Sequence, residues 1–313
     1  MLKMIKMQRN FSVLESFENF KTVCLVKGLS PETMRWYNES LKYFSRFYDL
    51  QNNISDVTED IITRYIVFCL NNKNKVSTIN MRLTALKSFF NWAYEEHLIS
   101  KIKIKLLKHT VKVKDTYTID ELEKLLKKPN LKKCDFTEYR DWVISNFFIS
   151  LAPRVSTLVN IKIKDLDLKY GEVIFTHMKT KRQQVLPLTK YMINILKEYL
   201  SFRKGDKEDF LFCSRYGQPL TKNALRISLN KYNKRRNVNR TGRHIYRNTF
   251  AKLWILNHGD AFRLQKILGH STIEMTKRYI EMYSDDLKAN MEELNPIYFI
   301  IKNEKKEISM KKK

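Results

Sequence analysis

The chain has 313 residues, 43% of them hydrophobic and 12% aromatic, which is room for two domains with ordinary cores. Lys and Arg number 59 against 33 Asp and Glu, a formal charge of +26 that points to a polyanionic partner, nucleic acid before a membrane surface. No apolar run reaches the roughly 18 residues of a membrane span, no secretory signal is evident, and Cys24, Cys69, Cys134 and Cys213 lie too far apart for metal-type pairing, so we expect no membrane association, no disulfide or zinc framework, and a reducing cytoplasm.

A first helix is predicted at about 13–27. Ser30 then caps a second, with Pro31 at its first position and an apolar stripe of Trp36, Tyr37, Leu41, Phe44 and Phe47. Thr58-Glu59-Asp60 opens a third. After a polar loop, Ser77 is expected to cap a fourth helix whose Met81, Leu83, Leu86, Phe89, Phe90 and Trp92 read as core, and four such helices bundle naturally. Arg35, Lys42, Arg46, Arg82 and Lys87 lie off the stripes, either meeting phosphates or forming a solvated face. Arg82 and Lys87 are the better candidates for nucleic-acid binding, because Ser77, Thr78 and Asn80 on the same helix are small enough to approach a groove. Residues 101–114 alternate basic and apolar residues without glycine, which suits an extended linker crossing a phosphate backbone or an edge strand of the next domain. We therefore divide the chain into a helical domain at 1–105, a linker at 106–116, a second domain at 117–296 and a basic, disordered tail at 297–313.

The second domain opens on Thr118-Ile119-Asp120-Glu121, a capping box. A helix at about 138–151 carries Trp142, Val143, Phe147 and Phe148; Pro153 forces Ala152 out of helical geometry, leaving Arg154 just past a kink where a side chain can be aimed. Residues 172–176 and 184–188 read as two strands around a basic turn holding Lys179, Lys181 and Arg182. Thr189 caps the next helix, and a strongly basic helix at 223–236 either lies in a major groove or is solvated.

The stretch from Thr241 to Met282 carries the chemistry. His244 and Arg247 are three apart, so on a helix opening near Arg243 they share a face, and the guanidinium fork suits phosphate oxygens. Phe250, Leu253, Trp254 and Ile255 form the packing face behind them. Gly269-His270-Ser271 breaks one helix from the next and presents an imidazole at the turn, and Tyr279 follows about two turns along. A phenol is a poor nucleophile unless cations stabilise its oxyanion or a base takes its proton. Taken singly, these are ordinary residues: a capping or buried histidine, a packing tyrosine.

Together, H-x-x-R, then L-G-H-S, then a tyrosine nine positions after that histidine resembles the carboxy-terminal signature of the tyrosine recombinases, the Xer and phage-integrase family. The segment LAPRVSTLVN resembles the family's first arginine motif, with Ala152 and Thr157 where the family usually has a glycine and an acidic residue. The resemblance implies a mainly α fold with a small antiparallel sheet, in which a helical core-binding domain and a catalytic domain clamp duplex DNA. It implies a catalytic set of Arg154, Lys179, His244, Arg247, His270 and Tyr279, with Lys181 the alternative to Lys179 and with Arg82, Lys87, Lys181, Arg182 and Arg243 as DNA contacts. It implies DNA strand cleavage and rejoining through a 3′-phosphotyrosyl intermediate, with no metal, ATP or other cofactor, by a homo-oligomer, a tetramer on paired sites. Leu287, Met291 and Leu294 are candidates for docking on a neighbouring protomer or packing at home. A type IB topoisomerase, a catalytically silent DNA-binding protein, and a metal hydrolase built on His244, His258 and His270 are the alternatives.

Overall fold

The computed structural model describes residues 11–108, 115–176 and 183–283, and the chain divides into two compact units between Lys112 and Val113.

The first unit is helical. Helix α1 (Val13–Val26) starts from a reciprocal capping box between Ser12 and Glu15, and α2 (Pro31–Phe44) from Ser30 with Pro31 in its first turn. A short 3-10 turn (Ile54–Asp56) leads to α3 (Glu59–Asn71), capped by Thr58, and then comes α4 (Val76–Glu95). Phe17, Phe20, Phe44, Tyr65, Phe89 and Phe90 pack edge-on and tilted at the centre. The expected cap at Ser77 is not used. Helix α4 starts two residues earlier, from an extended Lys75 with no side-chain cap, and Ser77 stands exposed in the first turn.

Two further expectations change for packing reasons. Asn80 is buried, not presented to a groove: its Oδ1 accepts from the Leu107 amide at 2.8 Å and its Nδ2 donates to the Leu107 carbonyl at 2.8 Å, a side-chain imitation of strand pairing. The alternation at 101–107 points Ile102 and Ile104 into the helical core, while the Lys103 amide donates to Glu59. On the other side of the gap at 109–114, Tyr117 is buried in the second unit, its amide bonded to Thr249 Oγ1 at 2.8 Å. The segment expected as a linker at 106–116 is thus anchored at both described ends, and its middle lies outside the described residues.

The second unit is built on α6 (Phe136–Leu151), capped by Asp135 and buried along most of its length. Around it lie α5 (Ile119–Leu126), opened by the Thr118–Glu121 capping box, α8 (Lys190–Arg203), capped by Thr189, α9 (Lys222–Arg235), capped by Thr221, and α10 (Arg243–Leu256). Even the charged pair on α6 is enclosed: Arg140 meets Asp141 at 2.7 Å, and also donates to Ser228 of α9 and to the Cys213 carbonyl, so both charges find partners. A one-turn helix α7 (Val155–Leu158) leads to a three-stranded antiparallel sheet in the order β1 (Leu166–Asp167), β2 (Glu172–Phe175), β3 (Gln184–Pro187), with Val173 opposite Leu186. The chain order closes with α11 (Ala261–Leu268), capped by Asp260, and α12 (Glu274–Tyr283). The fold is mainly α with a small antiparallel sheet, as expected; β1 was not foreseen, being too short for a two-residue period to show.

Replacing Asn80 by Ala removes both bonds to Leu107 and leaves a half-buried amide and carbonyl without those partners. We expect a loss of about 1–3 kcal/mol in denaturant unfolding and faster hydrogen exchange at the Leu107 amide. Unchanged exchange at Leu107 would show that the segment is held by its isoleucines alone.

Candidate active site

The site forms where α6, α10, α11 and α12 meet. Helix α6 ends at Ala152 in the left-handed conformation, φ 47° and ψ 41°, because Pro153 disfavours the right-handed helical region for the residue before it. An alanine there carries roughly 1–2 kcal/mol of backbone strain that a glycine would not. The turn frees the Ala152 carbonyl, and Arg247 on α10 donates to it through Nη1 at 2.7 Å. Two residues on, Arg154 stands at the N-cap of α7 and donates through Nη2 to the Gly269 carbonyl at 2.9 Å.

The end of α11 receives both guanidinium groups. A helix leaves its last four carbonyls without internal partners, and their negative end of the helix dipole favours cations. Here the Lys266 and Ile267 carbonyls accept from Gln184 on β3, Leu268 accepts from Arg247 Nη2, and Gly269 accepts from Arg154. Gly269 closes the helix at φ 58°, a left-handed position suited to glycine, and turns the chain so that His270 follows at once.

His270 is fixed through Nδ1, 2.8 Å from the hydroxyl of the buried Thr276 one turn before Tyr279. Its ring lies parallel to that of Tyr279, 6.2 Å between centroids and 8° between planes. Tyr279 is only 4% exposed, packed with Ala152, Ala251, Leu264 and Leu268. Its hydroxyl donates to Asn248 Oδ1 at 3.0 Å.

Two guanidinium groups and a phenol therefore share one poorly solvated pocket. Burial pulls Arg247 down to about 10, the neighbouring positive Arg154 adds to that fall, and Tyr279, whose ionised form would favour the cation, opposes it. Arg154 is lowered too, by burial, with Tyr279 again acting the other way. The phenol is thus within electrostatic reach of both cations. Arg154 Nη1 is buried and meets no partner among the described residues.

Of the residues expected in the site, Arg154, Arg247, His270 and Tyr279 come together. His244, one turn before Arg247 on α10, faces solvent. Arg243 is the first residue of that helix, and its side chain lies outside the described set. Lys179, Lys181 and Arg182, and the apolar stripe at Leu287, Met291 and Leu294, also lie outside the described residues, as does the tail at 297–313. Thr157 is fully enclosed on α7. In the first unit Lys87 is exposed, but Arg82 is not simply off the apolar stripe: its guanidinium lies 3.3 Å over the Tyr43 ring and donates to Asn74 at 3.0 Å. With Trp36, Lys42 and Arg46 it borders a cleft between α2 and α4.

Asn248, Thr276 and Gln184 were not foreseen. Asn248 and Thr276 carried a weak signal, a polar side chain one residue from Arg247 and another one helical turn from Tyr279. Gln184 carried none, since its partners are backbone carbonyls some eighty positions away.

Among the described residues, no three His, Cys, Asp or Glu side chains converge as metal ligands, and no helix is long and apolar enough to cross a membrane.

A model of the phage integrase family matches residues 116–285, and one of the N-terminal SAM-like domain of phage integrases matches residues 17–97. Tyrosine recombinase XerC of Thermodesulfovibrio yellowstonii is 31% identical over 283 residues, covering 86% of this chain and 90% of the relative. Tyrosine recombinase XerD of Staphylococcus saprophyticus is 27% identical over 291 residues, 89% of this chain and 97% of the relative. Among solved structures, the Tn1549 transposon integrase in complex with transposon right end DNA superposes with a TM-score of 0.76 at 19% identity, covering 91% of this chain and 99% of that one. A lambda integrase dimer bound to a COC′ core site gives 0.71 at 17% identity, covering 91% and 81%.

The depressed Arg247 has a thermodynamic consequence. Its folded pKa of about 10 lies below the unfolded value near 12.5, so the native state bears the cost of this buried charge throughout the neutral range and sheds it only as pH rises through about 10. An oxyanion seated between the guanidinium groups offsets that cost at neutral pH. Inorganic phosphate should raise the thermal midpoint of the wild type above that in chloride of equal ionic strength, and Arg247→Met should abolish most of the difference. An equal rise in the variant would place the anion elsewhere.

Proposed function

The chain belongs to the phage integrase family of tyrosine recombinases and is a site-specific DNA recombinase that works through a phosphotyrosyl intermediate, and we propose that Tyr279 is its nucleophile, acting on a duplex phosphate held by Arg154 and Arg247. What supports these roles is one observation: a buried phenol within electrostatic reach of two partly desolvated guanidinium groups, beside a histidine held by hydrogen bonding.

The chemistry follows from what that arrangement can do. Oη of Tyr279 attacks phosphorus, and the P–O5′ bond breaks. The phenolic proton leaves to a base, for which His244 is our choice, on the same helix as Arg247. The departing 5′ oxygen takes a proton from Lys179, with Lys181 as alternative, because an alkoxide is a very poor leaving group at neutral pH. His270 donates to a non-bridging oxygen. Arg154 and Arg247 offset the charge of the pentacoordinate transition state from fixed positions, so little reorganisation is needed as that charge builds. The product is a 3′-phosphotyrosyl link and a free 5′-hydroxyl. One phosphodiester replaces another, so the bond energy is retained and a 5′-hydroxyl from a second strand reverses the step without ATP or metal.

The +26 charge supplies the long-range attraction for duplex DNA. In the first unit Lys42, Arg46 and Lys87 are our candidates for backbone contacts, with Arg82 holding Tyr43 in place behind them. Exchange between two sites requires several copies, and we propose a tetramer. All four cysteines are unpaired thiols, in keeping with a reducing cytoplasm. With Tyr279 only 4% exposed, engagement of DNA has to uncover the phenol before attack.

The decisive measurement is covalent trapping on a nicked suicide duplex, with chelator present and ATP absent. Wild type should form a protein–DNA adduct, Tyr279→Phe none, and Arg247→Ala about 10²–10³-fold less per unit time. An adduct that survives Tyr279→Phe would reject the nucleophile, and no adduct in the wild type would favour a silent DNA-binding protein. Strand relaxation without joined products from two sites would instead mark a topoisomerase.

A further inference from the structure

Asn248 is a hydrogen-bond partner of the Tyr279 hydroxyl, and its amide cannot turn freely. Its Nδ2 donates at 3.3 Å to the carbonyl of Asp115, a backbone acceptor. A carbonyl oxygen cannot donate, so the NH2 end of the amide must face Asp115 and the oxygen end must face the phenol. An amide oxygen cannot donate either. The 3.0 Å bond between Oη and Oδ1 therefore carries the phenolic hydrogen, and the lone pairs of Oη point away from Asn248.

We propose that Asn248 is a positioning residue for strand cleavage: anchored on the Asp115 carbonyl, its amide oxygen holds the hydroxyl hydrogen of Tyr279 and so sets the direction of the reacting oxygen. The inference rests on Tyr279 being the nucleophile. Asn248 is no base, because an amide oxygen does not retain a proton at any working pH. It orients the neutral phenol while the proton is present. Once the proton has passed to the base, Oη and Oδ1 are both acceptors and repel, and the oxygen is released towards phosphorus. The turn of α10 that carries Arg247 thus also carries the group that aims the nucleophile, so cation and phenol are registered by one rigid element.

The test uses single-turnover adduct formation by the full chain on the nicked suicide duplex, with saturating DNA, from pH 5.5 to 8.5. Asn248→Ala should slow the step by about 10- to 100-fold, the range expected when a reacting atom is misdirected, while the Kd for the intact duplex changes less than about twofold. Asn248→His supplies a side chain that accepts through a ring nitrogen when neutral and cannot accept when protonated. It should recover to within about threefold of wild type at pH 8, and its rate relative to wild type should fall as pH drops through about 6.5. A side chain that merely fills space would give a ratio independent of pH.

Asn248→Ala at the wild-type rate overturns the proposal, as does a slow Asn248→Ala whose defect Asn248→His repairs equally at every pH. Adduct formation faster than wild type in Asn248→Ala also overturns it, since the contact would then restrain the phenol instead of aiming it. Tyr279→Phe, run alongside, separates the two readings. If the wild type forms no adduct, or Tyr279→Phe still does, the nucleophile itself is wrong. If the Tyr279 control behaves as expected and Asn248→Ala is unimpaired, only the role of Asn248 falls.

Discussion

The catalytic unit depends on guanidinium groups that dock on the bared carbonyls of helix ends. Arg247 bridges the end of α6 at Ala152 and the end of α11 at Leu268, and Arg154 reaches from the start of α7 to Gly269. Each bond satisfies a carbonyl that its helix cannot, and each cation sits at the negative end of a helix dipole. The same bonds leave two positive charges in a poorly solvated place: burial lowers both arginines, the nearby Arg154 lowers Arg247 further, and the pair creates a demand for an anion. The contacts that hold the scaffold are thus also the ones that fix the positive charge: between them the two arginines join α6, α7, α10 and α11.

This arrangement requires stiff supports, and the second unit provides them through buried polar contacts as well as apolar packing. Arg140 and Asp141 tie α6 to α9 through Ser228. Tyr246, fully enclosed on α10, donates to Ser145 of α6 at 2.9 Å, and Tyr117 accepts from Asn233 of α9 at 2.9 Å. Such groups are costly to bury alone and directional when paired, so they fix the rotation of α10 about its axis as methyl contacts alone would not. That rotation decides that Arg247 and Asn248 face inwards and His244 outwards. Gln184 extends the same logic to the sheet, joining the foot of β3 to the last turn of α11.

Much of this was legible in the chain. The capping box at Thr118, the caps at Ser30, Thr58 and Thr189, and the break at Pro153 are local chemistry, satisfied within three or four residues, so composition and spacing reveal them. The motif of His244, Arg247, His270 and Tyr279 was readable for a related reason, since its parts lie within forty residues on three successive helices. Expectations changed where a residue's partner is remote or is backbone. Nothing near Asn80 announces that its amide will clasp Leu107, and nothing near Arg82 announces a Tyr43 ring beneath it. The alternation at 101–107 signalled an extended segment correctly, but an alternating pattern reports that one face is covered and not what covers it.

By itself, then, the sequence determined helix starts and stops, the surplus of positive charge and the family motif that holds Arg247, His270 and Tyr279, because each is set by side chains acting on their immediate neighbours, by simple addition or by spacing within a short stretch. Only the tertiary structure decided which carbonyls hold the two arginines, that the phenol rests sheltered, and that an asparagine amide faces its hydroxyl. Those are relations between helix ends brought together by packing, and a hydrogen bond to a backbone carbonyl leaves no mark on the residue type that supplies it.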